Sequence, residues 1–249
     1  MTARVRFDFT GTAALITGGT SGIGLAVATL FRESGAHVTI TGTKERAADY
    51  EADLSGMDYQ QLQITDHDSV DALAHRFTRL DVLVNNAGAN FPGGLDESQP
   101  DGFDASVALN LTGPYRLTVG LYKALKASTA PGGGSVVNMA SMSALRAVPL
   151  VPGYGAAKAG IICLTRNLAV KWAGKGIRVN AVAPGTIDTP MTAPMHVAPE
   201  LVESELAHIP LRRMGSPDEI APTVAFLCTE HSSYTSGAVF VVDGASDCV

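Results

Sequence analysis

Cysteine is scarce: the three in 249 residues, Cys163, Cys228 and Cys248, form no Cys-x-x-Cys pair and cannot all be joined to one another. That excludes a disulfide-stapled scaffold and points to a reducing compartment. Positive charge is short as well. Lys and Arg number 18 against 24 Asp and Glu, a formal net charge of −6, where a general nucleic-acid or anionic-membrane binder needs the opposite balance. An anionic small ligand stays open, because backbone amides at a helix start bind phosphate without net charge. No stretch approaches the ~18 apolar residues of a membrane span, and the opening MTARVRFDFTGT lacks the apolar segment of a secretory signal. The expectation is a soluble, cytoplasmic protein. Six dispersed histidines show no His-x-x-x-His spacing, so no metal is expected. No Gly-Lys-Ser/Thr follows a glycine turn, which leaves a nucleoside-triphosphate P-loop unsupported.

What is present is alternation. Short runs rich in Val, Ile and Leu lie at 13–17, 37–41, 60–64, 80–85, 134–140, 177–183 and 238–242. Between them fall helix-length amphipathic stretches near 22–34, 44–54, 67–78, 101–127, 154–174 and 217–229. Continuous apolar strands separated by helices predict an α/β fold, a doubly wound Rossmann-type parallel sheet of about seven strands with helices on both faces. Ligands then bind at the carboxyl ends of the strands. With no linker or repeat, residues 1–249 read as a single domain. The segment 186–216 carries four prolines and no strand pattern; it is too long for a plain connection and is expected to be a substrate lid.

The first strand runs into Thr17-Gly18-Gly19-Thr20-Ser21-Gly22-Ile23-Gly24 and then an amphipathic helix. Glycines there allow positive φ and close approach of the backbone to a pyrophosphate at the helix start. The spacing, T-G-x-x-x-G-x-G, differs from the G-x-G-x-x-G of ordinary dinucleotide folds and resembles the short-chain dehydrogenase/reductase family. Asn85-Asn86-Ala87-Gly88 is similar to that family's N-N-A-G, which props the sheet and the adenine side. Pro184-Gly185-Thr186-Ile187-Asp188-Thr189 looks like its P-G-x-x-x-T, where Thr189 would hold the nicotinamide carboxamide and the Pro-Gly turn would wall one ring face. The match runs to Val242-Asp243-Gly244, and the chain is similar to the 3-oxoacyl-carrier-protein reductase-like members of the compact single-domain branch. The resemblance implies a dinucleotide site made by Gly18, Thr20, Ser21, Gly22, Ile23, Gly24, Thr43, Lys44, Gln63, Ile64, Asn86, Ala87, Gly88, Tyr154, Lys158, Pro184, Gly185, Ile187 and Thr189.

An acidic residue about 20 positions past the glycine turn marks NAD-preferring folds. Here Gly42 stands in its place, followed by Thr43-Lys44-Glu45-Arg46. No carboxylate repels a 2′-phosphate, and Thr43, Lys44 and Arg46 can receive one, so NADP is favoured, with NAD the alternative. Gln63 replaces the family's usual Asp near the adenine.

Tyr154-Gly155-Ala156-Ala157-Lys158 opens a helix, and its four-residue spacing puts phenol and ammonium on one face. A free tyrosine, with a pKa of about 10, is a poor base at neutral pH. A neighbouring Lys⁺ and the positive ring of an oxidised nicotinamide are expected to lower it. Ser141, 13 residues earlier, matches the family's catalytic serine, with Ser143 a second substrate contact. Asn110 matches its fourth catalytic residue. Pro114 has no amide for the Asn110 carbonyl, which is left to a water linking Lys158 to solvent. The set Asn110, Ser141, Tyr154 and Lys158 implies hydride transfer between NAD(P)(H) and a carbonyl or secondary alcohol, as in a ketone or 3-oxoacyl reductase. Sugar or steroid alcohol oxidation in the same family is the alternative. A non-catalytic dinucleotide-sensing regulator is a third class, but such proteins tend to lose the Tyr or Lys. Enoyl reductases have a longer Tyr–Lys spacing, which argues against reduction of a carbon–carbon double bond.

The expected substrate walls (loops 89–96, 142–153 and 186–212) include Phe91, Met142, Leu145, Leu150, Val151 and Met191, and suit an apolar ketone or acyl chain. Arg146, Arg212 and Arg213 read either as anchors for an anionic group or as surface ion pairs, and Cys163 as a small core residue. Leu117, Val119, Leu121, Leu164, Leu168 and Trp172 supply more apolar surface than one helix face needs. Together with the family's habit of pairing these helices, they lead to an expected homotetramer.

Overall fold

A computed structural model describes residues 5–197 and 199–248. Among them, strands β1 (Ala13–Ile16), β2 (His37–Gly42), β3 (Asp58–Gln61), β4 (Val82–Asn85), β5 (Gly134–Met139), β6 (Ile177–Pro184) and β7 (Val239–Val242) form one sheet. Its order is β3-β2-β1-β4-β5-β6-β7, and every pairing is parallel. The chain winds outward from β1 to β3, then restarts on the other side at β4. The switch point lies between β1 and β4, where a crevice opens at the strands' carboxyl ends.

Side chains on a strand alternate between faces, so successive apolar residues feed two cores. Ile16, Ile40, Val84, Val137 and Val182 join Val27 and Phe31 of α1 (Gly22–Glu33) and Ile220 and Val224 of α8 (Pro217–Leu227). Their neighbours Leu15, Leu83 and Val136 face the opposite layer. That layer contains α2 (His67–His75), α4 (Gly113–Gly120), α5 (Tyr122–Lys126) and α6 (Pro152–Trp172), with Val70, Leu117, Leu125, Leu168 and Trp172 in the core. The fold class is the one expected.

Several local expectations are corrected. The third strand is Asp58–Gln61, not 60–64, because β2, its only parallel neighbour, ends at Gly42 paired with Gln61; Leu62 and Ile64 reach the core from beyond the strand. No α-helix spans 44–54. A single turn at Ala47–Asp49 is followed by Tyr50, whose hydroxyl folds back to accept the Lys44 amide at 2.9 Å. The helix expected at 101–127 is broken into α3 (Pro100–Val107), a π turn (Ala108–Thr112), α4 and α5. The missing amide of Pro114 accounts for the wider turn just before it. Helix α6 begins at Pro152, two residues early, since proline suits the first helical position. The segment 186–216, expected to be a lid, contains α7 (Pro199–Ala207). Cys163 is exposed rather than in the core. Leu117, Leu121, Leu168 and Trp172 are consumed by the chain's own core, so most of the apolar residues expected at a subunit contact do not face solvent. No described helix is long and apolar enough to cross a membrane.

Asp81 ties the amino ends of β1 and β4 to the turn before β5. Its carboxylate, 1% exposed, accepts the Ala13 amide (2.9 Å), the Ser128 hydroxyl (2.7 Å), the Thr129 amide (3.2 Å) and the Arg79 guanidinium (3.0 Å). Burial alone would raise its pKa, but these donors outweigh it and hold the group below the usual carboxylate value. Its contribution is therefore present above the unfolded pKa of about 4 and lost as the pH falls through the lowered folded value. Asp81→Asn should cost roughly 1–3 kcal/mol in urea unfolding at neutral pH. The gap to the wild type should narrow in acid; a deficit unchanged between pH 7 and pH 3 would contradict this account.

Candidate active site

The glycine turn after β1 is shaped by close approach. Gly18 and Gly22 have φ of +64° and +51°, the left-handed region. A Cβ on Gly24 would lie 2.2 Å from the Gly18 carbonyl, and one on Gly18 would lie 3.0 Å from the Ala87 Cα. Asn86 braces the turn: its side-chain amide donates to the Thr17 and Gly18 carbonyls at 3.0 and 3.1 Å. The Asn86 and Ala87 amides both donate to the Thr17 hydroxyl at 3.0 Å. Gly22 faces Thr189, whose Cβ would lie 3.3 Å from an added methyl. The turn, the 85–88 loop and the loop after β6 thus converge. Ser21 precedes α1 without a side-chain cap, and the first turn of α1 holds no acidic residue. The helix start keeps its free amides and partial positive charge for an anion. The cradle fits a dinucleotide pyrophosphate.

At the end of β2, an added Cβ on Gly42 would lie 2.3 Å from the Tyr50 hydroxyl and 2.9 Å from Thr20 Cγ2. Tyr50 itself is wedged beside Tyr59, with ring centroids 5.8 Å apart. Lys44 is partly engaged: its ammonium donates to the Asp49 carbonyl at 2.6 Å and lies 4.8 Å from the Tyr50 ring centre. Arg46 pairs with Asp49 at 3.0 Å. The Gln63 side chain donates to the Thr43 carbonyl at 3.3 Å. Ile64 and Ile187 are buried core residues, at 6% and 5% exposure, so their side chains are directed into packing. Sequence reasoning missed Tyr50, whose contact with Gly42 spans eight residues with no spacing to betray it.

The four residues expected at the reacting centre come together. Ser141, just past β5, caps a short turn by accepting the Ser143 amide at 3.1 Å, and its hydroxyl reaches that of Ser143 at 3.3 Å. Tyr154 lies in the first turn of α6, with Ser141 beside its phenol. One turn on, the buried Lys158 donates to the Met139 carbonyl at 2.7 Å, with its ammonium 5.3 Å from the Tyr154 ring centre. Asn110, fully buried in the π turn, grips Ala89: its amide donates to the Ala89 carbonyl at 3.0 Å and its oxygen accepts the Ala89 amide at 3.2 Å. Gly88 borders this cluster. An added Cβ there would lie 2.6 Å from the Asn110 oxygen and 3.4 Å from the Lys158 ammonium.

The electrostatics correct one expectation. Burial pushes the Tyr154 phenol up to about 12; the Ser141 hydroxyl opposes the rise and the charge of Glu97 adds to it. Lowering by Lys158 is not what this arrangement produces. Burial also takes Lys158 down to about 8, which weakens it as a fixed positive neighbour. Glu97, the other residue not anticipated, is 1% exposed and accepts the Tyr154 amide at 2.6 Å. It is 57 positions from Tyr154, and no local pattern announces it.

On the substrate side, Phe91, Leu145, Leu150 and Met191 are exposed, whereas Met142 and Val151 are buried. Arg146 is committed to Glu205 of α7 at 2.9 Å and to Ser246 at 3.1 Å; Arg213 pairs with Glu219 at 2.6 Å. Both arginines therefore serve the ion-pair reading.

Residues 18–245 match the family model described as enoyl-(acyl carrier protein) reductase. A 3-oxoacyl-[acyl-carrier-protein] reductase of Thermotoga maritima is 38% identical over 245 residues, covering 94% of this chain and 97% of the relative. The chain belongs to the short-chain dehydrogenase/reductase family. Cis-4-hydroxycyclohexanecarboxylate dehydrogenase of Sinomonas cyclohexanicum, also 38% identical, covers 93% of this chain and 94% of its own. A solved structure from Agrobacterium tumefaciens with bound NADP, provisionally assigned as a 2-deoxy-d-gluconate 3-dehydrogenase, superposes with a TM-score of 0.84 at 33% identity over 99% of this chain and all of that one. As a short-chain dehydrogenase/reductase, the protein is an NAD(P)-dependent oxidoreductase acting on alcohol and carbonyl groups.

Proposed function

We propose that this short-chain dehydrogenase/reductase works as an NADPH-dependent reductase of a ketone or 3-oxoacyl group, with Tyr154 as proton donor. The reading is carried by the buried cluster of Asn110, Ser141, Tyr154 and Lys158 beside the glycine cradle. Bound NADPH would supply the hydride. Gly18, Thr20, Ser21, Gly22, Ile23 and Gly24 would hold its pyrophosphate against the start of α1, and Thr189 would hold the nicotinamide end. Ser141 orients the carbonyl oxygen and Tyr154 protonates it. A phenol held near 12 is protonated at neutral pH, which suits donation to a carbonyl better than abstraction from an alcohol. Lys158, drawn toward neutrality by burial, can pass a proton on, and the Asn110 carbonyl, denied an amide by Pro114, offers the next site to water. The description of the family model mentions enoyl reduction, but Tyr154 and Lys158 keep the four-residue spacing of carbonyl reduction.

The preference for NADPH is supported by Gly42. Tyr50 and Thr20 occupy the space where a carboxylate binding the ribose 2′-hydroxyl would stand, and Thr43, Lys44 and Arg46 border the vacant corner. The apolar walls with Phe91, Leu145 and Met191 favour an acyl or alicyclic ketone, in keeping with the relatives' named substrates. The homotetramer is also part of this reading. Its apolar contact would use Tyr115 and Val119 of α4 and Val170 of α6, at 44%, 43% and 83% exposure, beside a groove floored by Tyr122, Leu168 and Trp172.

Three measurements test the proposal. Tyr154→Phe should lower kcat by roughly 10²–10⁴-fold with NADPH still bound; near-wild-type turnover on a panel of ketones, 3-oxoacyl thioesters and sugars would remove Tyr154 from the chemistry. The kcat/KM for NADPH should exceed that for NADH by roughly tenfold or more, and a reversed ratio would overturn the reading of Gly42. Light scattering should return four times the chain mass; a monomer would refute the assembly.

A further inference from the structure

Glu97 lies outside the family motifs that assemble the centre, yet its side chain is as buried as any of theirs. One carboxylate oxygen accepts the Tyr154 amide at 2.6 Å and the other accepts the Phe91 amide at 2.9 Å. The Tyr154 amide is one of the donors that the start of any helix leaves without an internal partner. Val151, at the cap position of α6, offers no side-chain bond, and Pro152 has no amide to give. The helix therefore takes its acceptor from a distant loop, and an anion there is favoured by the helix dipole. Phe91 is held at φ +48°, a left-handed conformation uncommon for a non-glycine residue, and its amide is turned onto the same carboxylate.

The surroundings leave Glu97 little freedom. A Cβ on Gly153 would sit 3.1 Å from its Oε2 and 3.0 Å from the Ser106 Cβ. A Cβ on Gly102 would fall 2.0 Å from the Asp96 carbonyl and 2.9 Å from the Glu97 amide. Two glycines thus let α3 and α6 close on this residue from either side. Ser106 in turn binds Asn110, whose amide donates to the Ser106 carbonyl at 3.0 Å. Glu97 accordingly joins the loop carrying Phe91, the start of α6 carrying Tyr154, and the helix leading into Asn110.

We propose that Glu97 is a positioning residue: its carboxylate clamps the Phe91 loop to the Tyr154 end of α6, setting the aim of the phenol and the shape of the adjoining substrate wall. The inference rests on the assignment of Tyr154 as proton donor. A neutral amide of the same size cannot replace it, because Gln offers one accepting oxygen to two donors and turns an N–H toward the second. The charge has a further effect on the same phenol, which it pushes upward; removing it should bring the pKa of Tyr154 down.

Glu97→Gln, compared with wild type and Tyr154→Phe on the ketone or thioester the wild type reduces best, tests this. The variant should fold and bind NADPH with unchanged Kd, and kcat should fall roughly ten- to hundredfold. The alkaline limb of its reductive pH profile, where the phenol is lost, should move to lower pH by roughly half a unit or more. In the protein without substrate, hydrogen exchange at the Phe91 and Tyr154 amides should accelerate. Wild-type kcat, pH limb and exchange in a folded Glu97→Gln protein would overturn the proposal. If Glu97→Gln does not fold, Glu97→Asp keeps the charge on a shorter arm: kcat should drop while the pH limb stays, and an unchanged kcat is the contrary result. Activity persisting in Tyr154→Phe would instead fault the proton-donor assignment, and the exchange rates report on Glu97 independently of it.

Discussion

The bond from the Lys158 ammonium to the Met139 carbonyl, 2.7 Å at the carboxyl end of β5, fixes the rest of the site. It pins α6 against the sheet one turn beyond Tyr154, so the helix that carries the phenol is anchored to the sheet. Buried ammonium groups are costly unless they are hydrogen-bonded. The absence of a side chain at Gly88 leaves the space in which Lys158 and Asn110 meet. The π turn serves the same end. By widening the helix before Pro114, it carries Asn110 inward, where its amide and oxygen both bind Ala89 in the loop after β4.

Behind that cluster runs a buried polar chain. Asn85 on β4 donates to Asn138 on β5 and to the Thr118 hydroxyl of α4, both at 2.8 Å, and Asn138 donates to the Thr165 hydroxyl of α6 at 2.9 Å. Polar side chains in a core reward only the arrangement that satisfies them. These links hold α4 and α6 in register with the strands on which the catalytic groups depend. The sheet's two apolar faces supply the burial, and the polar chain selects which packing of α4 and α6 is used.

The alternation of strands and helices, the glycine turn and the placing of Tyr154 and Lys158 on one helix face were all legible in the sequence because each is local: strand periodicity, a turn needing positive φ, two side chains one helical turn apart. What escaped was non-local. β3 was misplaced because an edge strand takes its register from β2, not from its own apolar run. The stretch 44–54 scores as a helix until Tyr50 turns inward to Gly42. The helix leading to Lys126 reads as continuous until the missing amide of Pro114 is felt a turn earlier. At the site, Glu97 and Tyr50 act through contacts that no spacing encodes. Of the apolar residues assigned to a subunit contact, Leu117, Leu121, Leu168 and Trp172 pack in the chain's own core while Val119 stays exposed, since periodicity cannot say whether a face meets its own core or another chain.

The environment of Tyr154 also bears on direction. A tyrosine meant chiefly as a base needs its charged form stabilised, and in this protein burial and the neighbouring carboxylate both oppose that, with only Ser141 acting the other way. Lys158, itself brought down to about 8 by burial, keeps most of its charge at neutral pH and gives it up just above. At neutral pH the bare site therefore holds a neutral phenol beside a Lys158 that still carries most of its charge, and the neutral phenol is the form that gives a proton to a carbonyl oxygen as it gains negative charge. Oxidation would require stabilisation of the phenolate from outside this pair, and a positively charged nicotinamide is a group of the right sign to provide it. The oxidation state of the cofactor thus enters the electrostatics of Tyr154 directly, through the charge that the nicotinamide brings to the phenol.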